Sequence, residues 1–267
     1  MNSSDAPVIL VGCQKGGIGR TVLAVNLASM LALSGRRTLL VDLDTKGDAS
    51  ASLGLDLATR GRSAERLGDP WSVLEDTAAV QRPAGLDVWR GGPALDAVAA
   101  ELARSAAGIE RTLARGLSLA KQRYRAIVID APPDLGPLAR TALAAADVLV
   151  VPASAGAFAE RALEETISTA CRLRADMRLF GVRLAPRAEE LPEALAEEGG
   201  AGPLGLEMLD CVIAYDPPVL DAAVADGLPV FEYAPASLAA RSFLELTREV
   251  IAKVLEHPAV AADADLA

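Results

Sequence analysis

The chain has 267 residues, of which 51% are hydrophobic and 23% are charged. This length and apolar content exclude a disordered chain and a small fold that depends on disulfide bridges. Only 3% of the residues are aromatic, so an exposed stacking surface for single-stranded nucleic acid is not expected. No apolar run reaches the roughly 18–20 residues that span a membrane, and the first residues lack the pattern of a secretory signal. We therefore expect a cytoplasmic protein.

The formal net charge of −10 is distributed unevenly along the chain. Residues 1–187 carry 23 basic and 20 acidic residues, whereas residues 188–267 carry 3 and 16. An acidic chain repels DNA in general, although a local basic patch can still bind phosphates. The three cysteines are far apart and lack metal-ligand spacing, which favours reduced thiols. They are Cys13, Cys171 and Cys211.

Short runs of Val, Ile and Leu alternate with longer segments of helical periodicity. Strands are predicted at 8–11, 38–43, 86–89, 126–130, 148–151, 179–184, 211–213 and 229–231. Helices are predicted at 21–33, 135–146, 159–175 and 237–255. Because the strand-like runs show little polar alternation, we expect both of their faces to be buried. The order predicts an α/β fold: a doubly wound, mostly parallel sheet with helices on both faces. We expect a single domain over 1–257 and a flexible acidic tail over 258–267.

A glycine-rich segment follows the first predicted strand and opens the first predicted helix. It reads Gly-Cys-Gln-Lys-Gly-Gly-Ile-Gly-Arg-Thr from Gly12 to Thr21. Glycines let successive backbone N–H groups point inward, and the start of the helix adds positive potential, so this segment predicts a cradle for phosphate. The Thr21 hydroxyl stands where a magnesium ion would be held.

The segment resembles the KGGxGKT loop of the ParA/MinD family of deviant Walker-type P-loop ATPases. Two further motifs are similar to that family: VDLDTKGDAS at 41–50 and YRAIVIDAPP at 124–133. The segments DVLVVP at 147–152, GLPVF at 227–231 and PAS at 235–237 also match the family pattern in order. The resemblance runs from residue 8 to about residue 255 and is nearest to ParA-like partition and positioning ATPases. It implies a P-loop NTPase fold that binds ATP and Mg²⁺.

The resemblance also assigns roles to loop residues. Lys15 matches the signature lysine, which contacts the nucleotide of the partner subunit across an ATP-bound dimer. The nucleotide-binding residues implied are Lys15, Gly16, Gly17, Ile18, Gly19, Arg20, Thr21 and Val22. Arg20 replaces the usual lysine, and its wider, planar guanidinium is not equivalent to an ammonium in a tight loop. Two interpretations stay open: tolerated drift in a chain with 22 arginines and four lysines, or impaired hydrolysis.

Three carboxylates are implied at the carboxyl ends of strands. Asp44 matches the residue that orients the attacking water, and together with Lys15 it forms the catalytic pair. Asp42 works near the metal, and Asp130 matches the Walker B aspartate, so Thr21, Asp42 and Asp130 are the implied magnesium residues. A carboxylate at the end of an apolar strand also costs free energy unless it meets a cation or a donor.

Residues for the adenine base and for macromolecular partners are less clearly marked. Pro186 and Pro217 lie in the two segments where family members hold the base. A group of arginines near the seventh strand could contact DNA phosphates non-specifically, or could form a solvated face that pairs with acidic residues. These arginines are Arg172, Arg174, Arg178, Arg183 and Arg187.

The resemblance predicts a homodimer that closes on ATP, a ParB-like or cargo-adaptor protein that stimulates hydrolysis, and association with the nucleoid. No membrane binding is expected, because the chain ends in proline and acids rather than in a basic amphipathic helix. We therefore predict a ParA-like ATPase that positions DNA or a large cargo and hydrolyses ATP slowly. One alternative is a nucleotide-gated switch without turnover. Another is a synthetase-type relative, which would need a substrate pocket or clustered cysteines.

Overall fold

The computed structural model describes residues 5–12, 19–55, 71, 77–79, 84–104, 111–153, 157–185, 190 and 200–256. Nine strands occur in these ranges: Val8–Val11 (β1), Thr38–Asp42 (β2), Thr77–Ala79 (β3), Leu86–Trp89 (β4), Ala126–Asp130 (β5), Val148–Ala153 (β6), Arg178–Ala185 (β7), Gly200–Ala201 (β8) and Glu207–Ala214 (β9). They form one sheet in the order β3-β4-β2-β5-β1-β6-β7-β9-β8. The seven inner strands are parallel, and the two short edge strands, β3 and β8, are antiparallel to their neighbours.

The helices of the described residues cover both faces of this sheet. They are Arg20–Leu33 (α1), Asp48–Ala51 (α2), Leu95–Arg104 (α3), Thr112–Gly116 (α4), Ser118–Arg123 (α5), Pro137–Ala145 (α6), Ala157–Leu173 (α7), Pro217–Ala225 (α8), Val230–Tyr233 (α9) and Leu238–Val250 (α10), which continues into a π-helical turn, Ile251–Leu255. Residues of α3 to α7 form one apolar core with the sheet, and residues of α1, α2 and α8 to α10 form the other. The predicted doubly wound α/β fold is therefore confirmed.

The central strand β1 positions the candidate site. It lies between β5 and β6, and the chain proceeds from there toward both edges of the sheet. In open parallel sheets, ligands bind outside the carboxyl ends of strands where the order of strands reverses. The carboxyl ends of β1 and β5 meet at such a point, because Val11 pairs in register with Asp130.

One predicted strand was wrong. Residues 229–231 contribute to the single helical turn α9, in which the N–H groups of Tyr233 and Ala234 donate to the carbonyls of Pro229 and Val230. The Val230 side chain is fully buried, and its N–H donates to Oδ1 of Asn26 on α1 (2.8 Å). The apolar run therefore reflects a buried turn rather than a strand.

Other boundaries differ from the prediction by a few residues. Strand β9 spans eight residues where three were predicted, and it pairs with both β7 and β8. Strands β3 and β8, with three and two residues, are too short to produce a sequence period. Helices α2, α3, α4, α5 and α8 were not predicted. The predicted tail over 258–267 lies outside the described residues.

Candidate functional site

The loop between β1 and α1 is described only at its two ends. Gly12 donates its N–H to the Val150 carbonyl on β6 (3.2 Å), which fixes where the chain leaves the sheet. The structure resumes at Gly19, directly before α1. Lys15, Gly16, Gly17 and Ile18 lie outside the described residues, so their predicted contacts with phosphate stay predictions.

Gly19 is the last glycine of the loop and cannot be replaced without strain. Its φ of 78° lies in the left-handed region, and a Cβ atom there would lie 2.7 Å from Cε2 of Tyr215. Tyr215 directly follows β9, and its N–H donates to the Ala185 carbonyl at the end of β7 (2.9 Å). Burial, followed by the charge of Asp221, raises the pKa of the Tyr215 phenol. The half-buried ring thus packs against the exit of the loop.

Arg20 is buried at the start of α1, with 8% of its surface exposed. Its Nη1 donates a hydrogen bond to the Ala131 carbonyl (3.4 Å), one residue beyond the end of β5. The guanidinium therefore links the first turn of α1 to the strand that carries Asp130. Val22, two residues later on α1, is half-buried.

Asp42 ends β2 with its carboxylate held by protein donors. Oδ2 accepts hydrogen bonds from the Ser50 N–H (2.8 Å) and the Ser50 hydroxyl (2.7 Å), and Oδ1 accepts from the Asp44 N–H (3.1 Å). The backbone of Gly91 closes over it, since a Cβ atom there would lie 2.4 Å from Cγ of Asp42. Burial raises the pKa of Asp42 to about 6, despite these hydrogen bonds. Its first role here is to hold α2 against the sheet, and its role near a metal stays a prediction.

Asp44 lies two residues beyond Asp42 in a tight turn. Its Oδ1 accepts the Lys46 N–H (3.0 Å), and its carbonyl accepts the N–H groups of Gly47 and Gly92 (both 3.0 Å). These bonds fix the backbone and side chain of a residue whose surface is 8% exposed. The exposed side chains of Lys46 and Asp48 flank this turn.

Asp130 ends β5 and pairs in register with Asp42 on β2. It is 1% exposed, and neither carboxylate oxygen has a hydrogen-bond partner within the part of the chain that the structure describes. Burial and then the charge of Asp42 raise its pKa well above the usual range, whereas nearby Thr21 and Arg20 lower it by less. A buried, unpartnered carboxylate is costly unless a cation or a donor completes the site.

These residues fit a magnesium ion of the kind that binds together with a nucleotide. Mg²⁺ is usually held by one or two carboxylates, waters and substrate phosphates rather than by a full protein cage. Asp130 and the neighbouring Thr21 hydroxyl supply such donors, and the described residues contain no cluster of three or more His, Cys, Asp or Glu that could hold a metal alone. This donor set is compatible with a metal whose other ligands come from water and phosphate.

The two segments proposed for the base follow neighbouring strands, β7 and β9. Pro217 is the first residue of α8 and follows Asp216, whose carboxylate accepts the Val219 N–H (3.4 Å) at the start of that helix. Pro186 lies outside the described residues. Sequence reasoning missed Ser50, Gly91 and Tyr215, although the AS ending of the second motif contains Ser50.

The arginines suggested for DNA do not form one open patch. Arg174 contacts Oδ1 of Asp147 (2.7 Å) and Oδ1 of Asp176 (3.0 Å), and it is 19% exposed. Arg172 is exposed and donates to the Thr169 hydroxyl (3.0 Å).

The remaining arginines of that group also contact the fold. Arg178 donates to the Lys253 carbonyl (2.7 Å), and Arg183 donates to the carbonyls of Leu209 and Asp210 (both 3.3 Å). Arg187 lies outside the described residues. DNA binding by this group stays a prediction, with Arg172 its most accessible described member. Separately, none of the described helices is long and apolar enough to span a membrane.

Comparison with known proteins identifies the family. Residues 6–179 match the family described as an AAA domain. The chain is 31% identical over 269 residues to the chromosome partitioning protein ParA of Caulobacter vibrioides, covering 98% of this chain and all of the relative. It is 32% identical over 253 residues to the chromosome-partitioning ATPase Soj of Thermus thermophilus, covering 93% and 96%.

Solved structures share the fold. A putative plasmid partition protein of Borrelia burgdorferi bound to AMPPNP has a TM-score of 0.73 at 17% identity, covering 93% of this chain and 100% of that chain. The septum site-determining protein MinD of Pyrococcus horikoshii, complexed with Mg-ADP, has a TM-score of 0.66 at 22% identity, covering 92% and 96%. Because these solved structures are less than 25% identical to the chain, their similarity supports only the fold. The family is identified from the relatives with more than 30% sequence identity. The chain belongs to the ParA/Soj group of partition and positioning ATPases within the ParA/MinD family.

Proposed function

We propose that the chain is an ATPase that closes into a dimer on binding Mg-ATP and uses slow, partner-stimulated hydrolysis to position DNA or a large cargo. The observation that carries this proposal is the buried Asp130 carboxylate at the exit of the glycine-rich loop. Its oxygens have no partner at hydrogen-bonding distance among the described residues, and the nearby Thr21 and Arg20 offset its burial only in part. Family membership supports ATP as the nucleotide, because a relative of this chain is named as an ATPase.

Each residue of the site would have a defined task. The loop N–H groups, with Lys15, would hold the phosphates, and Thr21 and Asp130 would hold the metal, which supplies charge stabilisation for phosphoryl transfer when it is bound. Asp44, fixed by its turn, would orient the attacking water. Lys15 would reach the nucleotide of the second subunit and stabilise the charge on the transferred phosphoryl group.

Dimer formation can be tested by measuring molecular mass in solution. With Mg²⁺ and a non-hydrolysable ATP analogue we expect the mass to double, and with ADP we expect the monomer mass. Lys15→Gln should prevent the doubling, whereas the charge-matched control Lys253→Gln, at the other end of the molecule, should not. A mass that never changes with nucleotide would contradict the sandwich dimer.

A second candidate is a nucleotide-gated switch without turnover, favoured by Arg20. Its Nη1 donates to the Ala131 carbonyl (3.4 Å), which draws part of the charge that the family places on the phosphates toward β5. Phosphate release from ATP should be compared in the wild-type chain and in Arg20→Lys. Slow turnover in both supports the ATPase, and turnover in Arg20→Lys alone supports the switch.

A further inference from the structure

A groove with a volume of about 810 Å³ lies at the end of the sheet opposite to the candidate nucleotide site. Its walls come from α4 and α5, which precede β5, and from the carboxyl ends of α6 and α7, which precede β6 and β7. At about 3.3 Å per strand residue, roughly 15–20 Å of sheet separates it from Asp130. No step of nucleotide binding or hydrolysis described above uses this groove.

Arginine dominates the charge of the groove. Arg111, directly before α4, and Arg115, within it, are exposed. They lie four positions apart, so they are neighbours on one side of this helical segment. No ion pair of either is present among the described residues. Arg174 lines the opposite wall, where Asp147 fixes it at 2.7 Å. Guanidinium groups present planar pairs of donors that match carboxylates.

The groove is not uniformly basic, and this limits what it can bind. Leu173, Ala114 and Ala144 give it apolar walls. Asp176 adds a carboxylate whose side chain is 76% exposed and which already pairs with Arg174 (3.0 Å), so Arg111 and Arg115 are the cations of the groove that have no ion pair among the described residues. A peptide offers carboxylates, apolar side chains and backbone N–H groups together. A nucleic-acid backbone offers closely spaced negative charge but no apolar side chains for these walls.

We propose that this groove binds an acidic, partly apolar peptide segment of a partner protein, with Arg111 and Arg115 pairing with its carboxylates. The wall formed by Arg174 keeps its shape because Asp147 holds the guanidinium. The proposal does not depend on nucleotide hydrolysis. The helices and loops that carry it lie beside the amino ends of the strands, whereas the candidate nucleotide site lies at their carboxyl ends.

The test uses the full chain and a fluorescein-labelled peptide of repeating Glu-Leu-Glu units, followed by fluorescence anisotropy at low and high salt. We expect saturable binding that weakens as salt rises. The double substitution Arg111→Glu with Arg115→Glu should weaken binding about tenfold or more. Its control, Arg241→Glu with Arg248→Glu, makes the same change of charge on α10, on the other face of the sheet, and should leave binding unchanged. Thermal unfolding of both variants verifies that they fold.

Other outcomes would overturn the proposal. Absence of binding by the acidic peptide at low salt, equal loss of binding in both double variants, or equal binding of a Lys-Leu-Lys peptide would each do so. A labelled DNA duplex is run in parallel. If the groove substitutions abolish binding of the duplex and leave the peptide unaffected, the groove is a nucleic-acid site and the assignment to a peptide is wrong.

Discussion

Asp42 and Asp130 occupy matching positions on neighbouring strands, yet the fold treats them differently. Asp42 accepts three hydrogen bonds from Ser50 and Asp44, whereas Asp130 accepts none from the described residues. Both carboxylates are buried. The first is thus a structural acceptor, and the second carries a desolvation cost that Thr21 and Arg20 offset only in part and that a bound cation would offset further. Sites kept for function commonly carry such a cost in stability.

Asp130→Asn should therefore stabilise the nucleotide-free chain while it weakens Mg-ATP binding. Removal of a buried carboxyl group whose ionised form the fold disfavours is expected to raise the free energy of unfolding at neutral pH by about 1–3 kcal/mol. Urea unfolding measures the gain, and calorimetry should show binding of Mg-ATP weakened about tenfold or more. A variant that is less stable than the wild type and binds Mg-ATP normally would contradict this role of Asp130.

The raised pKa of Asp42 predicts a pH dependence of stability. Its pKa of about 6 in the fold lies above the value near 4 of an unfolded chain. The folded state therefore holds a proton that the unfolded state has lost, and the free energy of unfolding falls as pH rises through this window. Between pH 5 and pH 7, Asp42 alone should lower it by about 1 kcal/mol, and Asp130 should lower it further. Urea unfolding without nucleotide tests this, and stability that rises over that window would be inconsistent with it.

At the scale of elements, Asn26 connects α1 to the C-terminal part of the chain. Its side-chain oxygen accepts the N–H of buried Val230, while its side-chain nitrogen donates to the Val22 carbonyl (2.9 Å). Asn26→Ala would leave the Val230 N–H buried without an acceptor and should cost about 1–3 kcal/mol. Arg241→Ala, an exposed change on α10, should alter the free energy of unfolding by less than about 0.5 kcal/mol. Equal effects of the two substitutions would show that the α1–α9 contact contributes little.

Asp147 and Arg174 fasten the end of α7 to the amino ends of the strands. Asp147 also accepts the Val8 N–H (2.8 Å) and contacts Nζ of Lys121 (3.4 Å), which makes it the centre of a buried polar cluster. Arg174→Ala should cost about 2–4 kcal/mol, because it leaves that carboxylate short of its nearest cation. Arg172→Ala, an exposed neighbour, should cost less than about 0.5 kcal/mol. Thermal or urea unfolding measures the stability of both variants. If Arg174→Ala is as stable as the wild type, the pair of Asp147 and Arg174 has no structural role.

At the scale of the whole molecule, the sheet was predictable because buried parallel strands leave a strong signal. The run 8–11 has no polar position and the run 126–130 has one only at its last residue, Asp130, and both are strands with these bounds. The turn at Pro229 shows the limit, since burial makes a helical turn as apolar as a strand. The contacts of Tyr215 with Gly19 and of Gly91 with Asp42 join residues far apart in the chain, and no local period reports them. The role of Arg174 was likewise invisible, because its partner, Asp147, is 27 positions away.

Every role proposed for this site requires that the loop between β1 and α1 binds a nucleoside triphosphate with its metal. Isothermal calorimetry of the full chain with ATP, with Mg²⁺ and with a chelator in its place, measures this directly. We predict saturable binding that is markedly tighter with Mg²⁺, because Asp130 and Thr21 lack their cation without it. No heat of binding at millimolar ATP and Mg²⁺ would contradict the account and leave only the shared fold.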